Sequence, residues 1–292
     1  MINGTKARIG IIGGSGLYEI DGFKAQKSIK VKTPFGDPSD EYVVGELGGR
    51  EVVFLPRHGK GHRILPTELN YRANIYGMKS LGVEQIISIS AVGSFKEELK
   101  PLDIVMVDQF VDRTNQARKT TFFGDGVVAH ISFAEPVCSS LRNILYESAK
   151  SIGASVHPKG TYLNMEGPAF STKAESLLYK GWGMDVIGMT NMAEARLARE
   201  AEICYSTAAM VTDYDCWHES AESVTIDMII DNLKKNAEMA KKLIIKTIAK
   251  LPLERKCSCA STLQYAIITP ADLIPKRTKQ KLHIFINKYM KR

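Results

Sequence analysis

Asp213-Tyr214-Asp215 closes a small-residue apolar run, Ser206–Thr212. Two carboxylates at i and i+2 on an extended backbone point to one side. Like charges aimed at one spot repel, so one pKa is expected to rise and that group to hold a proton. Such a pair can accept from a ligand amine and donate to a ring nitrogen. The run before it fits a buried parallel strand, and a buried helix fits its periodicity nearly as well. In open α/β sheets, ligands gather beyond the carboxyl ends of such strands. A solvated strand-end turn would carry the same residues.

Other segments offer groups for an anion. Arg8–Ile12 runs into Gly13-Gly14-Ser15-Gly16, where bare amides and a hydroxyl can cradle phosphate. The Gly-Lys-Ser/Thr ending of a Walker loop is absent, and Glu19 stands where a dinucleotide fingerprint needs its third glycine. A tight turn without ligand remains the alternative. Pro56-Arg57-His58-Gly59-Lys60-Gly61-His62 follows another apolar run. His58 and His62 have helical metal-ligand spacing, but the intervening glycines oppose a helix and no HExxH glutamate is present, so no metal is expected. Arg57 beside His58 is instead a phosphate grip, with the guanidinium fork spanning two oxygens. Ser90, in Ser88–Ser94, ends a third run with small residues. Thr190 precedes a helical pattern, either as an N-cap or with its hydroxyl and the helix N-terminus facing the anion. Phe170, in Glu166-Gly167-Pro168-Ala169-Phe170-Ser171, could stack on a planar ring or belong to the core.

The elements that must hold these groups alternate. Strand-like runs fall at Arg8–Ile12, Glu51–Leu55, Gln85–Ser90, Asp103–Val107, Gly160–Met165, Asp185–Met189 and Tyr205–Thr212. Helical patterns fall at Thr67–Leu81, Val137–Ile152, Thr172–Trp182 and Met192–Ala201, with a long one from Ser223 to Lys250. This predicts a single α/β domain with a central mixed, mostly parallel twisted sheet flanked by helices, and an antiparallel insertion near 103–133. The catalytic domain is expected over 1–250, followed by a C-terminal extension over 251–292 that is basic at its end.

The chain has 292 residues, 44% hydrophobic and 24% charged, an ordinary balance for a globular protein. No apolar run is long enough to span a membrane, and no signal segment is read at the start, so a cytoplasmic location is expected. Lys276, Arg277, Lys279, Lys281, Lys288, Lys291 and Arg292 account for the whole formal excess of +7. A basic tail can bind nucleic acid; the near-neutral body argues against it, and a helix packing Leu282, Ile284, Phe285 and Ile286 on the body fits the pattern better. Five cysteines do not make a secreted disulfide framework. Cys257-Ser258-Cys259 lacks CxxC spacing and no second pair stands near it in the sequence, so reduced thiols are expected, with a strained local disulfide as the alternative. Cys138 and Cys204 could approach each other in the fold.

In order, GIIGGSGL, PRHGKGH, NYRANI, SAVGS, DQFVDRT, AEP, EGPAFST, GMTNMAEA and MVTDYDCW resemble the trimeric purine nucleoside phosphorylases. The resemblance covers about Ile9 to Lys250. It implies phosphate held by Ser15, Arg57, His58, Ser90, Ala91 and Thr190. Met189 would lie along the ribose and Phe170 would face the nucleoside. Asp213, Tyr214 and Asp215 would meet the purine, with either aspartate as the general acid. A neighbouring subunit would close the 5′ pocket through His130, and Ser171, Ile226, Ile229 and Ile230 would set specificity there. Inorganic phosphate would be a co-substrate, with no metal or organic cofactor and no membrane or nucleic-acid partner.

The reaction so implied is phosphate-dependent cleavage of 5′-methylthioadenosine to adenine and 5-methylthioribose 1-phosphate, a step of purine and methionine salvage. The aspartates decide the base: a 6-amino group donates and wants a carboxylate, whereas a 6-oxopurine wants an amide donor. An unpaired buried group costs roughly 1–3 kcal/mol. Inosine or guanosine phosphorolysis is the alternative. A non-catalytic nucleic-acid binder and a dinucleotide-dependent oxidoreductase fit less well.

Overall fold

A computed structural model describes residues 9–14, 17, 20–115, 117–218 and 226–290, with nothing said of the side chains of 226–229. Eleven strands form one mixed sheet. Those that matter most for function are β1 (Ile9–Gly13), β4 (Arg50–Pro56), β5 (Gln85–Ser94), β10 (Val186–Gly188) and β11 (Cys204–Tyr214). Each expected strand is present within a few residues. The antiparallel hairpin of β2 (Lys24–Ile29) and β3 (Tyr42–Leu47), and the short β7 (Gln109–Arg113) and β8 (Val156–His157), were not legible in the sequence. β2 is exposed along most of its length, so it shows no buried face to read. Antiparallel pairing extends to that hairpin as well as to β6 (Ile104–Met106) on β11.

The decisive topology is around β5. On one side it pairs in parallel with β11 along its whole length, from Gln85 to Ser94. On the other it pairs with β1 only from Gln85 to Ser88, and then with the antiparallel β10 at Gly93 and Ser94. Between Ser88 and Gly93 neither strand pairs with that edge. A parallel neighbour ends there and an antiparallel one arrives from the opposite direction, which opens a crevice in mid-sheet, as at a topological switch point.

Helices α1 (Tyr71–Ser80), α2 (Ser139–Ser151), α3 (Lys173–Gly181), α4 (Asn191–Glu200) and α5 (Ile226–Lys250) flank the sheet, each matching an expected pattern. Of the described residues, no helix is long and apolar enough to cross a membrane. The tail forms α6 (Lys276–Ile286) and buries Leu282, Phe285 and Ile286 in the same core as Tyr76 and Phe122. The Phe285 ring stacks on Phe122 at 4.3 Å. Truncating it leaves a cavity that neighbours fill only partly, so Phe285→Ala is expected to cost about 3–5 kcal/mol. Denaturant unfolding measures it; a loss near zero would mean that α6 rests on the body without stabilising it.

Candidate active site

A cavity of about 630 Å³ opens at the unpaired edge of β5, a volume suited to a small ligand. Ile89, Ser90, Ala91, Val92 and Gly93 form its floor. Arg57 and His58 enter from the end of β4, Met189 and Thr190 from the turn between β10 and α4, and Asp213, Tyr214 and Asp215 from the end of β11. Phe170 lies at the rim, 81% exposed. Residues spread from 57 to 215 are thus brought together because β4, β10 and β11 end at the unpaired edge of β5.

The cationic end is anchored from below. Arg57 Nε donates to Glu194 Oε1 at 2.5 Å and Nη2 to Glu194 Oε2 at 3.1 Å. Nη2 also donates to Ser88 Oγ, and Nη1 to the Ile89 carbonyl. Both partners of this pair are only 2% exposed. The fork expected to grip two phosphate oxygens therefore grips Glu194. Burial works against the Arg57 charge, but the adjacent Glu194 carboxylate outweighs it and keeps the guanidinium protonated. Glu194 Oε2 further accepts from Ser88 and Tyr205, and Asn191 Nδ2 lies within 3.0 Å of Ser88 Oγ and of the Tyr205 and Thr207 hydroxyls. Sequence reasoning missed this network, whose directly bonded partners are up to 137 residues apart; Glu194 in the first turn of a helix reads equally well as an ordinary dipole-matching acid.

His58 is pushed down to about 4, by burial and then by the Arg57 charge, so its ring is neutral. Nδ1 lies 2.8 Å from the Ile64 carbonyl. A carbonyl only accepts, which assigns the proton to Nδ1 and leaves Nε2 as the acceptor. Thr190 is the residue before α4, and its hydroxyl makes no cap bond; it reaches Asn191 Oδ1 at 3.1 Å instead. Thr190 lines the cavity, whereas the Met192 amide in the first turn of α4 is committed to Asn164 Oδ1 at 3.0 Å.

The carboxyl end depends on a β-bulge. Along the β11–β5 ladder Val211 faces Val92 and Asp213 faces Gly93, so Thr212 is the inserted residue. A bulge re-aims side chains; here Thr212, Asp213, Tyr214 and Asp215 all line the cavity. Two asparagines of α5 hold the bulge, with Asn236 Nδ2 donating to the Val211 carbonyl and Asn232 Nδ2 to the Thr212 carbonyl, both at 2.8 Å. Burial raises the Asp213 pKa to about 6; the Thr212 hydroxyl, donating at 2.5 Å, pulls it back and the Asp215 charge adds to the rise. Asp215 is also raised, by burial first, against nearby Ser176 and Ser171 hydroxyls. Its Oδ2 is buried with no hydrogen-bond partner among the described residues. Arg57 is bonded at Ser88 and Ile89 while Asp213 faces Gly93. Four residues of strand, about 13 Å, separate the two ends.

Several expected residues are placed elsewhere. Ser15 lies outside the described residues, as do the side chains of Ile226 and Ile229. Ile230 is 42% exposed and does not line the cavity. The part of α5 that does is its next turns, Leu233, Asn236 and Ala237, where its asparagines reach the bulge of β11. Ser171 stands behind Asp215 rather than in the wall, and its carbonyl accepts from the Cys216 thiol. His130 is exposed and does not line its own chain's cavity; its amide donates to the Ala266 carbonyl. Arg118, unforeseen, donates to the Met189 and Glu166 carbonyls and to Tyr71, tying together the two loops that carry Met189 and Phe170. Between those loops Gly167 has φ +71°, and a Cβ there would lie 2.5 Å from Met189 Sδ.

The chain matches the phosphorylase superfamily over residues 8–249. It is 60% identical to the S-methyl-5′-thioadenosine phosphorylase of Geobacter sulfurreducens over 282 residues, 97% of this chain and 99% of that protein. Among solved structures, a methylthioadenosine phosphorylase from an antarctic soil metagenomic library superposes with a TM-score of 0.92 at 48% identity, covering 96% of this chain and 99% of that one. The methylthioadenosine phosphorylase of Schistosoma mansoni, in complex with adenine, superposes with a TM-score of 0.83 at 37% identity over 89% of this chain and 96% of its own.

Proposed function

The chain belongs to the phosphorylase superfamily, and within it we propose phosphate-dependent cleavage of 5′-methylthioadenosine to adenine and 5-methylthioribose 1-phosphate. The observation that carries this reading is the two-ended cavity, with Arg57, His58 and Thr190 at one end and two pKa-raised aspartates at the other.

Breaking the N-glycosidic bond builds positive charge on the ribosyl ring and negative charge on the departing base. Phosphate at the Arg57 end would stabilise the first charge and supply the attacking oxygen. Arg57 would contribute its field more than a fork, since its hydrogen bonds are largely committed to Glu194, Ser88 and Ile89. The leaving base needs a proton at N7, and a buried carboxyl with a pKa of about 6 is suited to give it. The general acid is therefore assigned to Asp213. Asp215, lacking a partner for Oδ2, would accept from the 6-amino group. Leu233 and Ala237 supply apolar wall beside the cavity in place of Ile230, which suits a thioether. The protein would act in salvage of purine and methionine units in the cytoplasm, as a homo-oligomer in which a neighbour's copy of the His130 segment completes the 5′ pocket. Inorganic phosphate is the co-substrate, and the chemistry calls for no metal or organic cofactor.

Purified protein given 5′-methylthioadenosine should release adenine only when phosphate is present, with inosine turned over far more slowly. Adenine release that is independent of phosphate, or faster release of hypoxanthine from inosine, would overturn the assignment.

A further inference from the structure

Four of the five cysteines meet at the opposite end of the sheet from the cavity. The Sγ atoms of Cys138, Cys204, Cys257 and Cys259 all lie within 4.8 Å of one another. Cys138, Cys204 and Cys259 are buried and Cys257 is half-buried. They come from three distant segments: the residue before α2, the first residue of β11, and the connection that follows α5. Cys257-Ser258-Cys259, with no second pair near it in the sequence, thus meets Cys138 and Cys204 through the fold. A backbone bond from Cys138 N–H to the Tyr205 carbonyl holds the first two segments side by side. Cys257 is extended and Cys259 lies in the short 3-10 turn after it, so both sulfurs of the Cys-Ser-Cys segment reach the same point.

We propose that these four thiolates form a tetrahedral site for a divalent metal ion of the zinc type. Zinc–sulfur bonds of about 2.3 Å make every S···S edge of such a tetrahedron about 3.8 Å. All six mutual approaches lie within 4.8 Å, and the one between Cys204 and Cys257, at 3.2 Å, has only to open slightly to reach that edge. A disulfide, by contrast, draws sulfurs together in pairs at about 2.05 Å, and Cys204 and Cys257, at 3.2 Å, stand as free thiols. Binding exchanges four thiol protons for one dication and leaves the centre with two negative charges. Two features offset that charge. Cys138 precedes the N-terminus of α2, whose amides favour an anion. The Arg255 guanidinium stands 4.0 Å from Cys204 Sγ, held by the Glu84 and Glu202 carbonyls.

The site is structural. Cys204 opens β11 and Asp213 lies near its end, about 30 Å away along the strand. The metal would fasten the extension that follows α5 onto α2 and β11. That extension also pairs, at Ile267, with Ala129 beside His130.

The test is metal content and thiol count on full-length protein purified with a phosphine reductant and no chelator. Close to one equivalent of zinc per chain is expected. Cobalt substitution should give thiolate-to-metal charge-transfer bands and the intense visible bands of a tetrahedral centre. Cys257→Ser/Cys259→Ser should lose both. Five alkylatable thiols, Cys216 included, on protein that takes up neither zinc nor cobalt would overturn the proposal, as would an intact mass, on protein purified without reductant, showing two disulfides in place of metal. Neither measurement on the unmodified protein depends on the variant folding, and neither depends on the assigned reaction.

Discussion

Asp213→Asn is expected to lower turnover of 5′-methylthioadenosine by roughly 10²–10⁴-fold, the usual contribution of a positioned general acid, while leaving the protein at least as stable as before. The asparagine keeps the oxygen that accepts from Thr212 but cannot give a proton to the base. The pH dependence separates this from a packing effect. Asp213 titrates near 6 in the fold against 3.8 ordinarily. Only its protonated form donates, so kcat/KM should fall as pH rises through about 6, and that limb should vanish in the variant. For stability, a folded pKa raised above the unfolded value means that the contribution is fully present below about 3.8 and lost as pH rises through about 6. The variant should therefore gain on the native protein over that window. A variant with unchanged turnover and the same pH limb would remove Asp213 from the mechanism.

Glu194→Ala should give a large loss of stability. It strands the Arg57 charge at 2% exposure, and breaking one side of a buried pair costs about 3–5 kcal/mol. The KM for phosphate should rise as well, because Glu194 sets where the guanidinium points. Replacing both partners, as Arg57→Met/Glu194→Leu, removes the stranded charge and should recover much of the stability without recovering phosphate affinity. Denaturant unfolding and phosphate titration of the three proteins decide this. A single-variant cost below about 1 kcal/mol, as for an exposed pair, would mean that water reaches Arg57 and that the network does not hold it.

Both predictions concern groups whose types were readable before their surroundings were. Asp213, Asp215, Arg57, His58 and Thr190 stand at or near strand ends, where short-range alternation stops, and Ser90 lies within β5. The partners that set their chemistry are remote: Glu194 from Arg57, Asn236 from the Thr212 bulge, Arg118 from Met189. Ile230 fits the helical spacing of a pocket wall, yet spacing only assigns a face of α5. How far along that face the cavity lies depends on where the helix meets β11.

Local patterning is enough to tell that strands alternate with helices, which loops carry anion-binding and carboxyl groups, and that the candidate base-reading residues are acids rather than amides. These are properties of side-chain chemistry and of periods a few residues long. Long-range pairing is what makes β5 lose one parallel neighbour before meeting an antiparallel one. The same is true of the inserted Thr212 that turns both aspartates into the opening, and of the meeting of four cysteines at the far end of the sheet. Each follows from pairing between segments distant in the chain. Such pairing is settled by the register that buries the most apolar surface and leaves the fewest polar groups unpaired, a comparison made over the whole molecule and not within any one stretch.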